Sequence, residues 1–286
     1  MSDRHFRLEI ADRVARLTLD QPGRMNAMSP AFWRELDAIL EKLQREAPAR
    51  ALVIDAAGKH FCAGMSLEAF GSAIAPDASS AATRANIAPL LGDMQRTFDR
   101  LADLRMPVLA AIHGGCIGGG VDLVCAADMR YCTRDAFFCV QEINIGMAAD
   151  LGTLQRLPKL IPEGAARELA YTGRRLPADR ALSLGLVNEV FEDTGAMLAG
   201  VMQVAREIAA KPPVAIWASK QAIDYARDHS VADGLRQMGW LQSGLWDTAA
   251  VAEAIRARAE KREPLFADLA PLRYFTDATD DATRTS

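Results

Sequence analysis

Apolar and polar residues alternate strictly at the start of the chain. Phe6-Arg7-Leu8-Glu9-Ile10 puts an apolar side chain at every second position, and Ala15, Leu17 and Leu19 repeat the pattern after an Ala11-Asp12 turn. A period of two belongs to a strand with one buried face, so the spacing predicts a β-hairpin. Pro22-Gly23 ends it, and Ser29-Pro30 reads as a helix cap followed by the first helical residue. Beyond that cap, Phe32, Leu36, Ile39, Leu40 and Leu43 form a helical stripe. Ala51 to Ala56 and Met106 to Ile112, the latter entered through Pro107, are short apolar runs that fit buried strands. Leu90, Met94, Phe98 and Leu101 mark a second helix between Asn86 and Leu104. Gly71 to Ala85 is rich in Ala, Ser, Pro and Gly and carries no stripe, so it reads as a mobile loop beside the site.

From Met197 onward the pattern is helical only. It spans Met197 to Ala210, Pro213 to Arg227, Ala232 to Leu245 and Thr248 to Lys261, with Pro212-Pro213 between the first two. The chain therefore divides into an α/β core over 1–195 and a helical region over 196–286. Periodicity alone gives "α/β with a helical tail".

Composition narrows the class. The 286 residues are 50% hydrophobic and 24% charged, as in an ordinary globular protein. A net charge of −4 offers no basic footprint for nucleic acid, although it leaves room for a local basic patch that meets a polyphosphate. No run of 18 uncharged apolar residues exists, so no membrane span is expected. MSDRHFRLEI has neither an apolar signal segment nor an Arg/Ser-rich transit pattern, and Arg-Thr-Ser is not a peroxisomal address. A cytoplasmic enzyme is the expectation. Five cysteines (Cys62, Cys116, Cys125, Cys132, Cys139), odd in number and without metal spacing, read as buried thiols in a reducing compartment.

The chemistry concentrates in one stretch. His113-Gly114-Gly115-Cys116-Ile117-Gly118-Gly119-Gly120-Val121 leads to Asp122, and Glu142 and Asp150 follow. Glycines let a backbone approach a ligand and aim N–H groups at it. Carboxylates around that point move protons beside it. An oxygen site lined by N–H groups next to an acid/base pair suits chemistry alpha to a carbonyl, where an enolate must be stabilised. Taken singly the residues are unremarkable. Asp122 reads as an acid in the first turn of a helix, Glu142 as a surface acid, and Asp150 as the N-cap of Leu151–Leu157. Only their conjunction with the glycine cluster singles them out. No His–Ser–Asp set and no metal-ligand spacing is present, so hydrolase and metalloenzyme readings fall away.

With these residues in view, the chain resembles the crotonase (enoyl-CoA hydratase/isomerase) superfamily from about Phe6 to about Phe266. Within it, the chain is most similar to the dienoyl-CoA isomerase branch. That likeness rests on Asn26-Ala27-Met28-Ser29, on Phe32-Trp33-Arg34-Glu35, on RYCTRDAFF, and on Ala148 through Pro158. The resemblance implies a crotonase-type spiral of ββα units with C-terminal helices that serve trimer assembly, as a homotrimer or homohexamer. It implies an acyl-CoA thioester substrate and no cofactor beyond the coenzyme A of that substrate. The oxyanion-hole N–H groups would be those of Met65 and Gly119. Glu142 and Asp150 would be the acid/base pair that moves the double bonds of a 3,5-dienoyl-CoA to the 2,4 positions in fatty-acid β-oxidation, with Asp122 tuning them. Arg24, Lys59, Ala63, Gly64 and Lys261 would contact substrate and CoA, and Arg262 is a further basic candidate. The chain departs from the family pattern at Ser66, where an Asp usually follows the oxyanion residue; a serine hydroxyl still caps a following helix.

Two rival readings stay in view. A 2-enoyl-CoA hydratase uses two of the three carboxylates to hold a water, with a Glu at 122 and commonly a glycine at 150. A non-catalytic CoA-binding scaffold needs none of them.

Overall fold

The computed structural model describes residues 4–66, 69, 77 and 79–277. The predicted hairpin is β1 (Phe6–Ala11) and β2 (Val14–Leu19), paired antiparallel with Leu8 opposite Leu17. Asp12 and Arg13 both take positive φ in the turn, as a tight hairpin connection requires. One expectation fails here. Ile10 is 43% exposed, because the outer end of this edge strand has nothing packed over it in one chain.

β2 then pairs in parallel with β3 (Ala51–Ala56), β3 with β4 (Val108–Ile112), β4 with β6 (Met129–Thr133), and β6 with β9 (Glu189–Phe191). The sheet order is β1-β2-β3-β4-β6-β9. Every residue of β3 and β4 is buried, which is why both read as unbroken apolar runs: helices and loops cover both faces. On one face Leu17, Leu52, Ile54, Ala110 and Ile112 meet Phe32, Leu36, Leu40 and Phe98. On the other, Val53, Leu109 and Ala111 meet Met197, Val201 and Ala205 of the Thr194–Ala209 helix. A smaller sheet, ordered β5 (Gly115–Ile117), β7 (Phe137–Cys139), β8 (Leu176–Pro177), stands beside the first.

The helix at Pro30–Glu46 begins as predicted. The Ser29 hydroxyl accepts from the Phe32 N–H, and Pro30 occupies the first turn, where its missing N–H costs nothing. The C-terminal helices run Thr194–Ala209, Pro213–Ala226, Val231–Leu245 and Thr248–Glu260. After them the chain returns to the core. Buried Arg50 donates to the Phe266 carbonyl and to Asp268, Arg105 donates to the Ala270 carbonyl, and the Leu272 N–H donates to the Arg45 carbonyl. Residues 71–76 and 78 of the predicted mobile loop lie outside the described residues; its end forms a short helix, Ala81–Arg84.

Candidate active site

The backbone between Phe61 and Ser66 is clamped on both sides. Phe61 and Cys62 donate to His113 and Gly115, Ile117 donates back to Cys62, Ala63 donates to Met25, and the Met28 N–H donates to Gly64. Ser66 then donates to Met28. This ladder skips one donor. Neither the Met65 N–H nor the Gly119 N–H, at the first residue of the Gly119–Cys125 helix, has a partner among the described residues. The two segments nearly touch, since a Cβ added at Gly64 would sit 3.1 Å from the Gly119 nitrogen and 2.7 Å from the Ile117 carbonyl oxygen. Gly64 has φ +80, so glycine is required there on both counts. The predicted pair of oxyanion donors is thereby brought together at the mouth of a helix N-terminus.

The three carboxylates line the same cavity, a cleft of about 500 Å³ whose wall also includes Arg24, Ala63, Gly64, Met65 and Gly119. Asp122 lies in the first turn of the Gly119–Cys125 helix, 1% exposed, and its Oδ1 accepts from the Thr153 N–H at 2.6 Å. Glu142 opens a single 3-10 turn, Glu142–Ile145, and its Oε1 lies 3.0 Å from where a Cβ at Gly118 would be. Its Oε2 is buried without a hydrogen-bond partner among the described residues. Asp150 follows, and the Gln95 side chain donates to its main-chain carbonyl at 2.7 Å.

Burial dominates the electrostatics. It pushes Glu142 up to about 7, helped by the nearby charges of Asp122 and Asp150 and opposed by its own backbone N–H. It pushes Asp122 up to about 6, against hydrogen bonding from Thr153 and with the charge of Asp150 adding to the rise. Asp150 is raised by burial as well, against its own backbone N–H. Three acids crowded into one largely apolar cleft therefore retain protons that free carboxylates would release. Of the apolar residues that follow Glu142, Ile145 and Met147 line the cavity, while Ile143 is 43% exposed and lies outside the lining.

Several single-residue expectations need correction. Asp150 does not cap a helix: that helix runs Thr153–Arg156 with Gly152 at its cap, and the carboxylate that captures its Thr153 N–H is Asp122. Lys59 is exposed on the turn after β3 and Lys261 is exposed at the end of the Thr248–Glu260 helix; neither reaches the cavity lining. Arg262 is engaged by Glu253 and Glu260. The cysteines are all free and buried, and burial pushes the Cys62 thiol up to about 12 and Cys116 well up too, so neither is a reactive thiolate near the site. Ser66 Oγ accepts from the Ala69 N–H at 3.3 Å, and the rest of the helix it was expected to cap lies outside the described residues.

The sequence reading missed part of the wall. Leu90, Leu91 and Met94 line the cavity, whereas Phe98 and Leu101 of the same helix lie in the core. His5 and Ser29 also line it, joined by a 2.8 Å contact between His5 Nε2 and Ser29 Oγ. Among the described residues no group of three metal-binding side chains converges.

Residues 9–269 match the family model described as enoyl-CoA hydratase/isomerase. The mitochondrial delta(3,5)-delta(2,4)-dienoyl-CoA isomerase of Mus musculus is 42% identical over 253 residues, 87% of this chain and 77% of that protein. The peroxisomal delta(3,5)-delta(2,4)-dienoyl-CoA isomerase of Arabidopsis thaliana is 38% identical over 260 residues, 90% of this chain and 93% of that protein. Among solved structures, the enoyl-CoA hydratase of Bacillus anthracis superposes with a TM-score of 0.83 at 29% identity, covering 92% of this chain and 99% of that one. The architecture is that of the crotonase structures, as the resemblance implied. The expectation of a cytoplasmic enzyme is overturned, since the isomerase relatives are mitochondrial and peroxisomal. That expectation rested only on not seeing a targeting pattern, and an unseen pattern specifies no compartment.

Proposed function

We propose, for a chain that belongs to the enoyl-CoA hydratase/isomerase family of enzymes, that it isomerises 3,5-dienoyl-CoA to 2,4-dienoyl-CoA in fatty-acid β-oxidation. The observation that carries this reading is Asp150, a third carboxylate on the wall of a cleft that already holds Glu142 and Asp122 beside two unpartnered N–H groups. Hydration needs one pair of carboxylates around a water. Moving a diene needs a proton to leave carbon 2 and another to arrive at carbon 6, too far apart for one side chain.

The thioester oxygen accepts from the Met65 and Gly119 N–H groups, and their hold tightens as the oxygen gains charge. Glu142, against Gly118 and so beside these donors, takes the proton from carbon 2. The electrons of that C–H bond pass into a dienolate whose charge sits on the thioester oxygen. As the carbonyl re-forms, C2=C3 and C4=C5 replace C3=C4 and C5=C6, and the pair released at carbon 6 takes a proton from Asp150. The net change is a shifted diene now conjugated with the carbonyl. A base poised near 7 is well matched to work at neutral pH. Three coupled carboxyls share protons as a cluster, so the proton that Asp150 delivers belongs to the set and is not fixed on one member. Asp122, its Oδ1 committed to Thr153, tunes the other two.

Arg24, Ala63 and Gly64 on the cavity wall support the CoA arm. No cofactor is required beyond the substrate's own coenzyme A. Assembly into a homotrimer or homohexamer is supported by the Val231–Leu245 helix, which has no buried side chain within one chain. Around it Leu235, Trp240 and Trp246 are 70%, 77% and 62% exposed, a large apolar surface for an isolated protomer.

The test is ultraviolet absorbance during incubation with 3,5-octadienoyl-CoA, with crotonyl-CoA hydration followed in parallel. Growth of the conjugated 2,4-dienoyl chromophore with little loss of crotonyl absorbance is expected. Fast crotonyl hydration with no diene shift would make the protein a hydratase and leave Asp150 without a proton to carry.

A further inference from the structure

We infer that Gln95, which does not line the catalytic cavity, is a positioning residue that sets Asp150 from behind; the inference rests on the isomerase reading above. Gln95 belongs to the Ile87–Ala102 helix and faces a second, polar cavity of about 460 Å³ that shares only Leu151 with the catalytic one. Its Nε2 crosses the partition and donates to the Asp150 carbonyl oxygen at 2.7 Å. A carbonyl oxygen only accepts, so the amide nitrogen must be the end that points at it.

Asp150 needs such help because of the segment it sits on. Asp150 itself belongs to no helix or strand, and Gly152 beyond it has φ +125. A Cβ at Gly152 would lie 2.0 Å from Arg156 Nη1, so the guanidinium occupies the space a side chain would need. Gly152 is held through its carbonyl by the N–H groups of Gln155 and Arg156, but among the described residues no backbone-to-backbone hydrogen bond holds Asp150 or Leu151. Side chains do: Asp122 takes the Thr153 N–H, Arg156 reaches the Leu151 carbonyl at 3.5 Å and pairs with Asp99, and Gln95 takes the Asp150 carbonyl. Of these only Gln95 grips Asp150 directly. Fixing a residue's carbonyl fixes its peptide plane, and that plane sets where the short Asp side chain points. Glu142 stands on a separate turn, Glu142–Ile145, so a change at Gln95 should strike one half of the proton shuttle and spare the other.

The experiment uses the full-length enzyme with Gln95→Met, which keeps length and loses the donor, and Gln95→Glu, whose side chain donates only when protonated. Four readouts are taken: kcat and KM for 3,5-octadienoyl-CoA, exchange of the carbon 2 proton into D2O, the pH profile, and kcat in an Asp150→Asn background. For Gln95→Met, kcat should fall roughly 10- to 100-fold, with KM and the carbon 2 exchange held within about threefold. The substitution should add no further loss once Asp150 is already Asn, because a positioning residue has nothing left to position. Gln95→Glu should regain activity relative to wild type as pH falls from about 8 to about 6. Wild-type kcat in Gln95→Met, equal loss of exchange and isomerisation, or an additive loss in the Asp150→Asn background would each overturn the assignment. A wild-type enzyme that exchanges the carbon 2 proton but never moves the diene sinks the isomerase reading itself, and this role of Gln95 with it. A wild-type enzyme that isomerises no faster than Gln95→Met sinks Gln95 alone.

Discussion

Two buried aspartates in this molecule live under opposite rules. Asp55, on the central sheet, is 6% exposed and meets Arg16 at 2.6 Å and the Thr18 hydroxyl at 2.7 Å. Asp122, in the cleft, is 1% exposed and accepts one backbone N–H; among the described residues no cation pairs with it directly, and Arg156 acts on it only through its charge. The same contrast recurs elsewhere. Buried Lys220 pairs with Asp128, and Arg130 donates to the carbonyls of Leu186, Val124 and Ala127. In the cleft, Glu142 Oε2 and the N–H groups of Met65 and Gly119 stand without partners among the described residues. Among the described residues, the scaffold pairs its buried charges with counter-charges or carbonyls, even where single atoms such as Trp33 Nε1 and Arg105 Nε lack a partner; the cleft gathers carboxylates with no cation paired to them. That difference teaches where function sits, because an unsatisfied buried group is costly unless a ligand completes it.

The contrast breaks first, and by the largest margin, if the unpaired carboxylates are dispensable. Asp150→Asn should lower isomerisation by roughly 10³- to 10⁴-fold while the protein stays folded, read as growth of the 2,4-dienoyl absorbance alongside a circular dichroism spectrum. Activity within tenfold of wild type would remove Asp150 from the proton path. The open N–H groups come next. Gly119→Pro deletes a donor and should cost on the order of 10²- to 10³-fold in kcat. Met65→Ala keeps its N–H and should stay within about threefold, so equal losses in the two variants would dissolve the oxyanion site.

Much of the scaffold was legible in the sequence because it is local. The alternation at Phe6 to Ile10, the Ser29-Pro30 start and the stripes of the C-terminal helices are each decided by residues within a few positions of one another, and the structure places those elements within one to three residues of the reading. The site was legible in its chemistry and less so in its geometry. Leu90 and Met94 share one stripe with Phe98 and Leu101, yet the first pair faces the cleft and the second the core, and no periodicity separates them. Asp150 looked like a helix cap because caps precede helices; that Asp122, 31 positions earlier, takes the Thr153 N–H follows only from tertiary packing. Lys59 and Lys261 carried the right charge at family positions, but charge does not say which way a turn faces. Gln95 left one faint trace: it stands four residues after Leu91 and three before Phe98, a polar side chain on an apolar stripe.

The two aspartates give the third way to test the contrast, by opposite signs. Asp55→Asn strips the charge partner from Arg16 and should destabilise the fold by about 2–3 kcal/mol. Asp122→Asn keeps an oxygen that accepts from Thr153 while removing a buried charge, and should raise stability at pH 8 by about 1–2 kcal/mol. Urea unfolding of both variants decides it. Two shifts of the same sign would mean that the cleft and the scaffold treat charge alike.

The smallest effect sharpens the comparison most, because it turns on one carboxyl. Glu142 titrates at about 7 in the fold against an ordinary value of 4.5. Between those values the native state holds a proton that the unfolded chain has released, so the contribution of Glu142 to stability is complete below about pH 4.5 and is lost as pH rises through 7. Glu142→Gln cannot titrate and should lack this loss. The stability difference, variant minus wild type, should therefore climb from pH 4.5 to 7 and level off above it. Its plateau should be about 1–2 kcal/mol, a figure reduced from the full shift because Glu142 is only partly buried. Taking the difference cancels the shared titrating groups that do not feel Glu142, and leaves Glu142 together with its effect on the coupled Asp122 and Asp150. A flat difference across that range would mean that Glu142 is solvated in the free enzyme, and the unpartnered Oε2 would then be met by water and not reserved for the substrate's carbon 2 proton.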